Sequence, residues 1–439
     1  MRNVPGLSLP VGICLLVLGH VGSAGAQVTA DSTRRMHNAA AVAAYRQQDW
    51  GEARRHLEAL AGIMHGNPRI TVGIASVAAR QGDTGAALAA LERFAGMGLV
   101  QDLAGDDDLA SLRDTPRFAK ILERVAENAK PVRRGDTAFT LPEADAVIED
   151  LAFDPADGSW YFTSIRKGGV LRRDNQGNWS HFVAPGADES WATSALALDP
   201  ATRTLWVSTV AIPHYTALEQ TDAGRTAVLG YDLASGRLVR RVEMPRDAAP
   251  HWLGDMSLAP DGTLYVSDSR SGGIYRLARG DSSFQVLLPA GELPSPQGLV
   301  PMIDGHRLLV ADYVRGIAVI DRGTGALSWL PAAPGVALAG IDGLSLAGNT
   351  LIAVQNGTRP NRVVQFHLTP GLDSITGWSP IESGTPGLVE PTHGRVHAGT
   401  FWFIANSGWD ALTDDGSLRQ GAAMAKPVVL KVRVKNREK

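Results

Sequence analysis

Carboxylates and amides recur at matching places between residues 148 and 406 of this chain. Six segments superimpose: IEDLAFDPADGSWYFTS from 148, TSALALDPATRTLWVST from 193, LGDMSLAPDGTLYVSDS from 253, PQGLVPMIDGHRLLVADY from 296, IDGLSLAGNTLIAVQNG from 341 and PTHGRVHAGTFWFIANS from 391. Each reads as an apolar run, a polar turn, a second apolar run and a polar end. In register, the first runs open on Glu149, Ser194, Gly254, Gln297, Asp342 and Thr392, with Asp150 and Asp255 one place further on. The second runs close near Ser164, Thr209, Asp268, Asp312, Asn356 and Asn406. If the two runs are antiparallel strands, these starts and ends share one mouth. Oxygen donors converging there from separate elements are what Ca²⁺ or Mg²⁺ requires. The same residue types also serve to satisfy loop backbone groups, and spacing alone leaves both readings open.

The elements that must position these residues follow from the period. Spacings of roughly 45–50 residues leave room for four strands per unit, and six units predict a six-bladed β-propeller over 136–435. The flanking segments TAFTL (137–141) and PVVLKVRV (427–434) read as outer strands of the last blade, so that the ring closes on its own ends and hides its edges. The Asp157-Gly158, Asp261-Gly262 and Asp304-Gly305 pairs then mark hairpin turns on the face opposite the mouth.

Ahead of the strands, residues 36–127 are alanine-rich with helical periodicity. RQQDWGEA from Arg46 and RQGDTGAA from Arg80 match at an offset of 34 residues, which resembles tetratricopeptide repeats. A plain helical bundle fits the same residues. Either would serve as a scaffold or as a docking surface for a protein partner. Residues 1–26 have the three parts of a secretory signal: Arg2, the apolar stretch Val11–Gly19, and Ala24-Gly25-Ala26 before Gln27. The stretch is too short to span a membrane, so the expectation is a periplasmic or secreted protein. The only cysteine, Cys14, lies inside that segment. A net charge of −3 over 439 residues gives no reason to expect a nucleic-acid partner.

On Glu149 in IEDLAFDP, Gln297-Gly298 in SPQGL and Asp342-Gly343 in GIDGLSLAGNTLIAVQNG, the propeller resembles the gluconolactonase and regucalcin family, with strictosidine synthase and paraoxonase as wider relatives. That resemblance implies one divalent ion, most simply Ca²⁺, held by Glu149, Asp342 and Gln297, the last replacing an asparagine. Asp255, preceded by Gly254 where the family has an asparagine, joins the implied metal set. The resemblance also implies hydrolysis of a lactone or ester, in which a bound ion polarises the carbonyl and activates water. Asp342 is then a candidate base, and His251 the leading imidazole, with His214 and His393 as further candidates. No nucleophile-elbow motif is present.

A further pattern is independent of the resemblance. Arg166, Arg270, Arg315 and Arg359 each follow the end of a second strand, with Trp191, Trp252, Tyr313 and Trp409 near the same mouth. Arginines among aromatics suit an anionic or carbohydrate-like ligand, and a solvated hairpin rim fits the same residues; the ligand expected once the resemblance is added is a small anion, lactone or ester. Two functions are therefore expected in competition: an exported metal-dependent hydrolase, and a non-catalytic propeller that binds a ligand or protein while its helices dock a partner.

Overall fold

A computed structural model describes residues 30–246 and 250–434. The signal-like segment 1–26 lies outside the described residues. Five helices come first: α1 (Ala30–Arg46), α2 (Trp50–Ile63), α3 (Pro68–Arg80), α4 (Thr84–Gly96) and α5 (Pro116–Asn128). The 34-residue offset reappears as a pair of equivalent caps. Asp49 accepts from the Glu52 N–H and Asp83 from the Ala86 N–H, each at 3.0 Å, at the starts of α2 and α4. Fully buried Ala53, Ala75, Ala78 and Ala87 let these helices pack closely.

Six four-stranded antiparallel sheets follow, in a six-bladed propeller. The inner strands are Leu151–Asp154, Ala192–Asp199, Leu253–Leu258, Pro296–Pro301, Ile341–Ala347 and Gly394–His397. Second strands such as Thr350–Gln355 are buried at every position because a blade packs on both faces; hence their unbroken apolar runs. Closure differs in one detail from the sequence expectation. Asp136–Thr140 is the outer strand of blade 6, but Val428–Arg433 is its third strand, paired on both sides. The apolar run VVL of that strand suits the interior place better than the edge.

The turns opposite the mouth also join blades. Arg203 forks onto Asp154 with both contacts at 2.7 Å, and Arg279 reaches Asp199 at 3.0 Å. Arg322 reaches Asp261 at 2.6 Å. Each arginine belongs to the blade after that of its aspartate, so these turns act as an inter-blade girdle as well as hairpin ends.

The helices are fastened to blades 4 and 5 by a joint that repeats. Arg315 lies over Trp329 at 4.1 Å and donates through Nε to the Ile63 carbonyl, at the end of α2. Arg362 lies over Trp378 at 4.8 Å and donates to the Met97 carbonyl at 2.6 Å, at the end of α4. Ile63 and Met97 are themselves 34 residues apart. Carbonyls at a helix C-terminus carry partial negative charge, so a guanidinium is the natural group to end each helix. Gly98 is required at the second joint: a Cβ there would stand 2.1 Å from the Trp378 ring.

Candidate metal centre at the axial mouth

The site residues stand where the inner strands begin, and in four blades that start is irregular. In blades 2 to 5 the pairing of inner and second strands slips at the start, around Ser194, Gly254, Gln297-Gly298 and Asp342-Gly343. These are the positions the sequence register singled out. In blades 1 and 6 the equivalent residues, Glu149-Asp150 and Thr392-His393, fall just before the strand. A bulge re-aims a side chain and frees it from the ladder. Thr163 fixes the first of these segments, its hydroxyl accepting from the Glu149 and Asp150 N–H groups at 3.0 and 2.9 Å. Gly343 lets blades 5 and 6 approach: a Cβ there would lie 2.6 Å from the Thr392 carbonyl oxygen.

Glu149, Asp342 and His393 meet as a result. Each offers one ligand atom, and these atoms lie within 4.8 Å of one another. The indole N–H of Trp409 donates to Glu149. Asn356 donates to Asp342 Oδ2 at 2.7 Å and accepts from the Tyr313 hydroxyl at 2.9 Å. His393 Nδ1 stands 3.1 Å from the Glu149 carbonyl oxygen, which fixes the ring. Its Nε2 is buried and faces Asp255 Oδ2 at 3.4 Å, an ion-pair contact. The Thr392 hydroxyl is buried without a hydrogen-bond partner among the described residues.

Electrostatics make the centre hungry for positive charge. Burial, and then the Asp342 carboxylate, push Glu149 up to about 8, against the pull of His393 and Trp409. Burial raises Asp342 and Asp150 as well, against His393 and, for Asp150, Arg395. For His393, burial disfavours the charged ring, but Asp255, Asp150 and Asp342 outweigh it and hold its pKa well above the usual value. Burial also opposes ionisation of Asp255, yet His393 prevails and holds that carboxyl low. Two carboxylates and an imidazole, with ligand atoms within 4.8 Å of one another, form a donor set that fits a divalent cation. A ligating histidine must be neutral, so such an ion takes the place of the His393 proton.

Other residues singled out in the sequence stand elsewhere. Asp255 sits behind His393: its Oδ1 accepts from the Met256 N–H at 2.7 Å and its Oδ2 from the Leu299 N–H at 3.2 Å. Gln297 donates to Ser295 Oγ at 3.0 Å. His251 is buried, with Nδ1 2.5 Å from Asp268 Oδ2, while Asp268 Oδ1 caps the Trp252, Arg270 and Ser271 N–H groups. Asp312 caps Ser295, Val314 and Arg315 in the same way. Of the second-strand ends, Asn356 alone is hydrogen-bonded to the cluster among the described residues. Its neighbour Gln355 instead bonds to Ala337, Ala339 and Arg362.

The four arginines do not form one ligand-facing set. Arg166 donates to the Gly416 carbonyl at 2.8 Å and, with His214 on the Thr413 carbonyl at 3.0 Å, steadies the 407–427 loop that carries Trp409. Arg315 is buried in the joint with the helices. Arg359 lends its carbonyl to the Val100 N–H at 2.9 Å, beside the same helices, and its side chain is exposed. Arg270 is exposed too. The helical contacts were not readable in the sequence, because residues 63 and 315, or 97 and 362, share no local pattern. His393 was one of three candidate imidazoles in the sequence; only the inter-blade approach sets it beside Glu149 and Asp342.

Solved structures similar to this chain include a PQQ-bound aldose sugar dehydrogenase from Streptomyces coelicolor, at 16% identity over 70% of this chain and 100% of that one, with a TM-score of 0.47. A luciferin-regenerating enzyme matches at 14% identity over 69% and 95%, TM-score 0.48. A candidate gluconolactonase from structural genomics matches at 16% identity over 69% and 93%, TM-score 0.44. The likeness is one of fold. No family model matches the chain, and no curated protein does. The chemistry assigned to the mouth rests on the residues of the mouth.

Proposed function

We propose that the chain is an exported, divalent-cation-dependent hydrolase of the lactonase or esterase class, working at the axial mouth of the propeller. The observation that carries this reading is the convergence of Glu149, Asp342 and His393 within 4.8 Å, from blades 1, 5 and 6. These three would hold the ion, with Ca²⁺ the first candidate and Asp255 behind His393. A bound ion of this kind polarises an ester carbonyl and lowers the pKa of water. Trp409 orients Glu149, and Asn356 with Tyr313 orients Asp342, so neither carboxylate has to be ordered when a cation arrives. His251, held by Asp268, supplies an oriented imidazole beside Trp252, whose ring lies 6.2 Å from that of Trp409. Arg270, exposed and free of structural duty in the joint, is the arginine retained for an anionic substrate. Export rests on residues 1–26, and mass spectrometry of exported protein should find Gln27 at its start.

One observation favours the second reading, a non-catalytic binding propeller. His393, and Arg395 at 2.7 Å from Asp150, already set two cationic groups among four carboxylates. The two readings separate on metal content. Protein purified without chelators and assayed on a panel of simple esters and lactones should carry a divalent ion and lose hydrolysis on chelation. Metal-free protein that gains neither stability nor activity from Ca²⁺, Mg²⁺, Mn²⁺ or Zn²⁺ would leave only the binding propeller.

A further inference from the structure

Asp342, Asn356 and Tyr313 form one hydrogen-bonded run at the mouth, and each stands beside a segment that the helical region grips. Tyr313 opens the turn after the second strand of blade 4 (Arg307–Asp312). The next two residues go to the helices: the Val314 carbonyl accepts from Asn67 Nδ2 at 3.4 Å, and the Arg315 carbonyl from the His65 N–H at 3.0 Å. Asp342 follows the connection from blade 4 to blade 5, in which the Leu338 N–H donates to the Gly66 carbonyl at 3.1 Å. Asn356 begins the turn after the second strand of blade 5, where the Arg359 carbonyl accepts from the Val100 N–H at 2.9 Å. Three separate stretches of the propeller thus carry the Asp342 side of the centre. All three meet the helical region within four residues of the side chain concerned.

The three stretches also hold one another. The Gly340 N–H donates to the Tyr313 carbonyl at 2.8 Å, and the Gly357 N–H to the Gly340 carbonyl at 3.2 Å, so a shift of one stretch displaces the others. The closest grip comes from the turn between α2 and α3. Gly66 lies there at φ +60°, and a Cβ on it would stand 2.6 Å from the Val336 carbonyl oxygen and 3.0 Å from the Leu338 nitrogen. Asn67 is buried and serves both partners at once. Its Oδ1 caps α3, accepting from the Arg69 and Ile70 N–H groups at 3.0 and 3.3 Å, while its Nδ2 reaches Val314. The other half of the centre is independent of this turn. Among the described residues, none of the helical region 30–128 hydrogen-bonds to Glu149 or His393.

We propose that the helical region is a positioning part of the ion site: the α2–α3 turn, through Gly66 and Asn67, holds the loops that orient Asp342 and so sets the affinity for the ion. The proposal rests on the reading of Glu149, Asp342 and His393 as ligands. The outer partners of a ligand fix its orientation before an ion arrives, and disturbing them costs about 10–100-fold in metal affinity. Asn356 and Tyr313 are such partners, and their own placement depends on backbone that the helices hold.

The test is calorimetric titration of the chelated full chain with Ca²⁺, or with whichever of Mg²⁺, Mn²⁺ and Zn²⁺ wild type binds most tightly, at a temperature where circular dichroism shows each variant folded. Gly66→Ala drives a methyl group against the 336–338 backbone and should weaken binding about tenfold or more. Gly82→Ala is its control. Gly82 lies at φ +78° in the next turn, between α3 and α4, with nothing within 4 Å of a Cβ. It carries a similar backbone penalty without the wedge and should bind as wild type does. Asn67→Ser keeps a cap for α3 but is too short to reach Val314, and should weaken binding about threefold. It decides the matter should Gly66→Ala fail to fold. Wild-type affinity in folded Gly66→Ala overturns the proposal and leaves the ligand set standing. So does an equal loss in Gly66→Ala and Gly82→Ala, which would trace the effect to helix stability. A wild type that binds none of the four ions overturns both.

Discussion

The indole N–H of Trp409 donates to the carboxylate of Glu149, 260 residues away in sequence. The bond ties the long loop of blade 6 to the first residue of the site in blade 1. It also favours the ionised carboxylate, against the burial that pushes Glu149 up to about 8. Trp409→Phe should therefore raise the Glu149 pKa further and weaken ion binding at neutral pH. Calorimetric Ca²⁺ titrations at pH 7 and pH 9 should show the defect shrinking at the higher pH. A defect of equal size at both would mean that Trp409 acts by packing alone.

Metal-free stability should fall as pH rises. The folded chain holds the Glu149 proton up to about pH 8, whereas the unfolded chain releases it near 4.5. Between those values the folded state binds more protons, so raising the pH favours unfolding. The His393 contribution has the same sign. Its folded pKa is raised, and the stability it confers is full below about 6.5 and lost as pH climbs through the folded value. Urea denaturation of chelated protein from pH 5 to pH 9 measures this, and Glu149→Gln should flatten the decline.

Arg362 and Arg270 should behave oppositely. Arg362 is 1% exposed and has no carboxylate partner among the described residues; burial brings its pKa down to about 9, and it is held by the Met97 carbonyl and Gln355. Arg362→Met orphans both acceptors, at about 1–3 kcal/mol each. Protease should then cut the 129–135 connection sooner, as the helices loosen from blade 5. Arg270→Ala, at an exposed site, should leave the urea midpoint unchanged. A destabilised Arg270→Ala, or an Arg362→Met as stable as wild type, would reverse the roles assigned to them.

Removal of residues 428–434 should be more damaging than loss of an outer strand. This segment pairs with the second strand of blade 6 on one side and with Asp136–Thr140 on the other. The truncated chain should expose two unpaired edges and accumulate as insoluble protein. Soluble protein with an unchanged melting temperature would show that the ring closes without it.

The blades were legible in the sequence because each repeats the same local pattern: apolar run, turn, apolar run. Glu149 and Asp342 were legible because they hold the same place in that pattern. The bulge that frees Asp342 was not, since a slip of register leaves no composition of its own. His393 came forward only through the approach of blades 5 and 6 across Gly343. Gln297 and Asp255 occupy expected places in the pattern, yet they are engaged by Ser295 and by the backbone of Met256 and Leu299. Arg315 matched the arginine pattern as well as Arg270 did, but its fate depended on Ile63, far off in the helical region. Pattern reports position along a strand, and contacts between distant segments decide what a side chain does there.

The central claim is that Glu149, Asp342 and His393 together hold a divalent ion. Its most direct test is the melting temperature of chelated protein as Ca²⁺ is added, for wild type and for Asp342→Asn. Binding to the folded state alone stabilises it in proportion to RT ln(1 + [L]/Kd). The wild-type melting temperature should climb with the logarithm of free Ca²⁺, and the Asp342→Asn value should stay flat. A wild type that ignores Ca²⁺, Mg²⁺, Mn²⁺ and Zn²⁺ alike, or an Asp342→Asn protein that responds as wild type does, would contradict the claim.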